Sequence, residues 1–187
     1  MQPFEYLSVM TSVVLGLGIS HLLADLTRLI EGRDKVRFYW VSIVWAITLL
    51  MQHLQMWWVL FRYREIGQWN FFTFLLLFVP AMLLYSATVL LLPEFDPDQG
   101  IDLEVHYYKN RRWFFGLAAL TLMLLSARAT YLRGFPFFDS ASNIRHAATA
   151  LFLGGAVARA RSYHAVVAVA AFALFLFTLV RFTLELQ

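Results

Sequence analysis

The chain has 187 residues, of which 60% are hydrophobic and only 14% charged, and its mean hydropathy is +0.64. That leaves too little polar sequence for a second, water-soluble domain, and the absence of cysteine excludes disulfides, thiolate chemistry and cysteine-held clusters or zinc. The net charge of +3 comes from Lys and Arg scattered at the ends of apolar runs, a pattern of membrane loops that argues against nucleic acid as a partner.

The predicted architecture is all-α: a polytopic transmembrane helical bundle, one integral membrane domain over 1–187. Six spans are expected, at about 4–30, 38–61, 69–92, 113–132, 144–158 and 163–182. The first carries Glu5 where a cleaved leader would carry basic residues, so it is expected to be retained. Its segment GLGISHLLADLTRLI holds His21, Asp25 and Arg28. At 100° per residue, Asp25 lies about 40° from His21 and Arg28 about 20° to the other side, so the three share one face. Ionisable groups within a span are costly and usually face a bundle interior, a water-filled cavity or one another. The trio is therefore a candidate polar path or gate; the plainer reading is a paired, snorkelling helix terminus.

The first connection, EGRDKVR, carries most of the charge flanking span one. Together with the third and fifth connections it gives nine Lys and Arg, against six on the other side, which predicts these connections in the cytoplasm and both termini in the periplasm of a bacterial inner membrane. Span two adds Thr48, Gln52 and Gln55, within about 60° of one another on a helical wheel. They are either glue between helices or the second wall of the polar path. Trp40, Trp57, Trp58, Trp69 and Trp113 fall near span ends, as interfacial indoles do, whereas Trp45 falls inside.

Pro80 interrupts span three and predicts a kink, with a hinge as the functional alternative. The longest connection begins acidic, with Pro and Gly, and turns aromatic and basic, which predicts an interfacial helix leading into span four. Asp102, Glu104, His106, Lys109, Arg111 and Arg112 form a charged collar there, suited to lipid headgroups or a partner. The fifth segment has only 13 residues between Arg145 and Arg159, so it reads as a short or tilted span, a re-entrant piece, or one arm of a broken helix. Its Ala150, Gly154 and Ala158 repeat at the four-residue spacing of close helix contacts.

No cofactor is expected. Bis-histidine haem is the nearest option, through His21 with His164 or His53 with His146, but no spacing enforces either pair. No metal site is expected, and no phosphate loop, HExxH, GxSxG or intramembrane aspartate pair supports catalysis. The segments FEYLSVMTSVVLGLGISHLL and DLEVHYYKNRRWFF, with the Trp57–Trp58 pair, resemble a family of small bacterial multi-pass inner-membrane proteins. That family has no assigned activity, so the resemblance implies only a bacterial multi-pass protein.

The sequence thus points first to a small transport or channel-like protein, with His21, Asp25 and Arg28 lining a path with Thr48, Gln52 and Gln55. The rival is a non-catalytic accessory or scaffold subunit of a membrane complex, and the third reading a membrane enzyme or haem protein. The bilayer is the expected partner, together with a homo-oligomer or larger complex if one chain cannot enclose a pore.

Overall fold

The computed structural model describes residues 3–66, 69–94, 100–138 and 140–182, without the side chains of 140, 141, 181 and 182. The acidic stretch 95–99 of the third connection and the side chain of Arg181 lie outside the described residues. Six helices form: α1 (Pro3–Glu31), α2 (Trp40–Leu60), α3 (Phe71–Leu91), α4 (Leu103–Arg133), α5 (Ser140–Val157) and α6 (Arg161–Phe182). Five of them, α1 to α4 and α6, are long and apolar enough to cross a membrane. Exposed apolar side chains run along them, among them Val13, Ile47, Phe72, Met123 and Val169, the surface expected of helices solvated by hydrocarbon.

Local chemistry sets the ends. Asn70 caps α3 by accepting from the Thr73 amide at 2.8 Å, and Asp102 caps α4 by accepting from Val105 at 3.0 Å. Gly134 ends α4 in the left-handed conformation, at φ 67°, with its amide donating to Thr130. Nothing between Leu103 and Arg133 breaks the helix, so the expected interfacial helix is instead the first turns of one continuous α4 of 31 residues. Pro80 is buried within α3, which continues on both sides of it.

One end of the bundle is tied by a parallel two-stranded ladder, β1 (Val36–Arg37) with β2 (Ile101–Asp102), pairing Val36 with Ile101 and Arg37 with Asp102. We call this the strand end. Gly100, at φ 72°, brings the chain against the Lys35 carbonyl, where a Cβ would lie 2.7 Å from the oxygen. At the opposite end Leu7, Leu60, Tyr63 and Leu77 form a smaller apolar cluster joining α1, α3 and the turn after α2. The main core packs Leu15, Leu22, Trp45, Leu84, Phe114, Phe115 and Phe152 between these ends.

Candidate functional site: a cavity between four helices

The helices pack unevenly, and the unevenness makes a space. α5 lies along α4, and α6 lies along α2, but the α2/α4 and α5/α6 seams are thin. α3 packs across α2 and α4 and backs the first seam, placing Leu84 and Ala87 in the wall. α5 packs mainly on α4 and more lightly on α6, while α6 packs on α2 and α5 and is joined to α4 through His164 and Arg161.

Between these four helices lies a cavity of about 400 Å³, inside the range of roughly 300–1,000 Å³ that holds small ligands. Its floor is aromatic: Trp45 meets Phe114 and Phe152 edge-on at ring separations of 5.3 and 5.6 Å, with Phe115 behind them. Leu49, Val167, Ala171 and Phe175 continue the apolar wall. Polar groups are few, and the charged ones are Arg128 of α4 and Arg145 of α5. Thr121 and Thr178 are satisfied on their own helices, donating to Leu117 and Phe175 at 2.8 Å each. Gln52 and Gln55 of α2 also reach the cavity, so span two does present its glutamines to an internal space.

The two arginines are held differently. Arg145 donates from Nε to Ser126 at 3.0 Å and from Nη2 to Ser142 at 2.6 Å, which fixes the guanidinium plane. Arg128 lies over the Tyr63 ring, 4.9 Å from its centroid, and its buried Nε has no hydrogen-bond partner among the described residues. No described residue lining the cavity is acidic.

The α1 trio occupies different ground. Asp25 is buried, with His21 Nε2 at 3.2 Å and Arg28 Nη1 at 3.1 Å, whereas His21 and Arg28 are partly exposed. None of the three lines the cavity, and the Thr48 hydroxyl turns back to the Val44 carbonyl at 2.7 Å. The structure thus brings Gln52 and Gln55 together with the two arginines and leaves His21, Asp25 and Arg28 as a local cluster on α1.

The collar is largely internal. Asp102 pairs with Arg37 at 2.8 Å, and Glu104 with Arg161 at 2.5 Å. The Val105 amide, and then Arg37, hold the Asp102 carboxyl below its ordinary range. His106 Nε2 donates to the Leu90 carbonyl at 3.2 Å, joining α4 to α3. Arg111 is buried and donates to the Ala158 and Tyr108 carbonyls at 3.1 and 2.7 Å. Of the six collar residues, Lys109 and Arg112 face outward. Nearby, burial and a contact with the Tyr108 hydroxyl push the Tyr39 phenol well above its usual value.

The histidines are engaged in packing. His164 is fully buried: Nε2 donates to Ala158 at 3.1 Å, so Nδ1 accepts from the Tyr107 hydroxyl at 3.0 Å. His146 Nε2 donates to Phe137 at 3.0 Å, and His53 Nδ1 donates to Leu49 at 2.8 Å. Among the described residues there is no group of three or more His, Asp and Glu that could hold a metal ion.

No family model, curated protein or solved structure matches the chain. The site must therefore be read from its own chemistry. In the sequence Arg128 is one of the six charges opposite the cytoplasmic connections, and Arg145 is another that also bounds the short fifth segment. The available signal was that Arg128 falls inside the fourth apolar run instead of at its end.

Proposed function

We propose that this protein is a membrane-embedded binding or carrier protein that takes one apolar-tailed molecule from the bilayer into the α2–α4–α5–α6 cavity. The observation that carries this reading is the cavity itself: apolar over most of its wall, backed by α3 at the α2/α4 seam, and bounded on another side by the thinly packed seam between α5 and α6. A molecule already dissolved in hydrocarbon reaches such a seam without crossing water. In this reading α5 crosses as a sixth span. Its 18 residues give about 27 Å at 1.5 Å per residue, close to the roughly 30 Å of a hydrocarbon core. The strand end faces the cytoplasm, where Arg33, Lys35, Lys109 and Arg112 follow the positive-inside bias.

The reading keeps Gln52 and Gln55 at the ligand and assigns His21, Asp25 and Arg28 to the packing of α1. A membrane-spanning path through that trio is the competing arrangement, and it predicts that Asp25→Asn abolishes activity. The direct test uses a variant in which Trp45 is the only tryptophan, reconstituted in nanodiscs with an alkyl compound brominated along its tail. Saturable quenching of Trp45 while the brominated compound is a minor membrane component is the expected result. Quenching that only tracks the bulk mole fraction of bromine sinks the binding reading.

A further inference from the structure

The cavity is graded in polarity along its length, and the gradient names a class of ligand. We propose that its occupant is a single-tailed amphiphile with an oxyanion head, a carboxylate or phosphate, whose head is held by Arg128 and Arg145 and whose tail rests on the aromatic floor around Trp45. The proposal rests on reading the cavity as a binding site and adds the chemistry of what binds.

The charge argument comes first. Arg128 belongs to the end of the bundle opposite the strands, because its guanidinium lies over Tyr63 in the turn after α2. A ring contact of this kind engages the guanidinium charge but gives its N–H donors no hydrogen-bond acceptor in the plane. Arg128 has no carboxylate partner among the described residues, and its Nε is buried without an acceptor. A guanidinium in an apolar wall is costly when unpaired, and an oxyanion is the group whose geometry and charge answer it, often bidentately. Arg145, fixed by Ser126 and Ser142, brings a second positive charge to the same cavity.

The apolar argument excludes simpler ligands. Trp45, Leu49, Phe114 and Phe152 form the end of the cavity farther from Arg128. A free inorganic anion has no use for that surface, and a neutral lipid has none for the arginines. The remaining polar groups fit the same division. Gln52 and Gln55 add neutral polar groups beside the apolar wall, and the two threonine hydroxyls donate on their own helices.

The test compares probes on unaltered protein before any variant is made. In nanodiscs of a zwitterionic lipid, dodecyl phosphate and dodecanoate are titrated against dodecanol, with inorganic phosphate as a fourth arm, and total tryptophan fluorescence and retained ligand by native mass spectrometry are read. Both anionic amphiphiles are expected to bind with one-to-one stoichiometry, about tenfold or more tighter than the alcohol. Arg128→Gln is expected to remove most of that preference, bringing the anions close to the alcohol in affinity. Arg128 is the better variant because Arg145 also anchors two serines; Arg128→Lys, which keeps charge but not the fork, should recover part of the preference. Equal binding of alcohol and anions overturns the oxyanion assignment and leaves the cavity reading standing. If none of the amphiphiles binds, the cavity reading itself is lost. Inorganic phosphate binding as tightly as dodecyl phosphate overturns the amphiphile and makes the ligand a free anion.

Discussion

Gly18 of α1 and His53 of α2 meet backbone against ring: a Cβ on Gly18 would overlap His53 Nε2 and stand 2.7 Å from its Cδ2. Both residues are buried, and His53 is anchored by its other ring nitrogen to Leu49. The glycine sets how closely the first two helices approach, and the histidine is the side chain that fills the gap.

Gly18→Ala is therefore expected to destabilise the bundle by about 1–3 kcal/mol, the usual cost of forcing atoms into a packed core. Replacing His53 with Ala in the same chain should recover part of that loss. A double-mutant cycle on detergent-solubilised protein, followed by thermal unfolding, measures the coupling. Additive effects would show that the contact is not the cause.

Tyr107→Phe removes the hydroxyl that serves His164 Nδ1, in a site where both rings are buried. Leaving one buried acceptor without its donor costs about 1–3 kcal/mol. The melting temperature should fall while amphiphile binding is preserved, because neither residue lines the cavity. A change in binding without a change in stability would contradict this assignment.

Asp102 links stability to pH. Its folded-state carboxyl is held down by the Val105 amide and Arg37, so its contribution is fully present above the ordinary carboxylate range, near pH 4, and is lost as pH falls through the lower folded value. Melting curves of the wild type and Asp102→Asn should separate at neutral pH and converge in acid. Curves that stay parallel down to pH 2 would mean that the ion pair and cap contribute nothing through this charge.

Ala171 stands on the α6 wall of the cavity. Ala171→Phe is expected to fill part of the space and weaken amphiphile binding about tenfold or more, with a stability change of less than about 1–3 kcal/mol because the new ring enters a void. Unchanged affinity would place the ligand elsewhere.

Asp25→Asn is expected to leave amphiphile binding intact, since the cluster with His21 and Arg28 stands apart from the cavity wall. Equilibrium binding before and after the substitution decides the matter. A large loss would return the α1 trio to the functional site.

The long apolar runs made the helices legible, because hydrocarbon demands an uninterrupted helical backbone and the charged knots mark where it ends. Thus α1, α2, α3 and α6 begin and end near the expected residues. The continuity of α4 was not legible. The switch from the amphipathic stretch Leu103–Arg112 to an apolar one resembles a junction, but a helix changes composition along its length without breaking when no turn residue intervenes. Gln52 and Gln55 were visible from the wheel, whereas Arg128 and Arg145 converge only because α4 and α5 pack along one another. His164 is the second residue of the expected sixth span. Tyr107, Tyr108, Phe115 and Tyr163 enclose it there, an arrangement that single-span periodicity does not encode.

The ladder pairing Val36 with Ile101 has a consequence for biogenesis. Its paired residues lie 65 positions apart in the chain, so neither strand can find its register until the hairpin of α2 and α3 between them has formed and turned back. A nascent chain halted before Ile101 leaves the amides and carbonyls of the earlier strand waiting for a partner still to be synthesised. The short parallel pair can thus close as soon as α2 and α3 have turned back, before α4 to α6 are complete, and it fixes the point from which α4 starts.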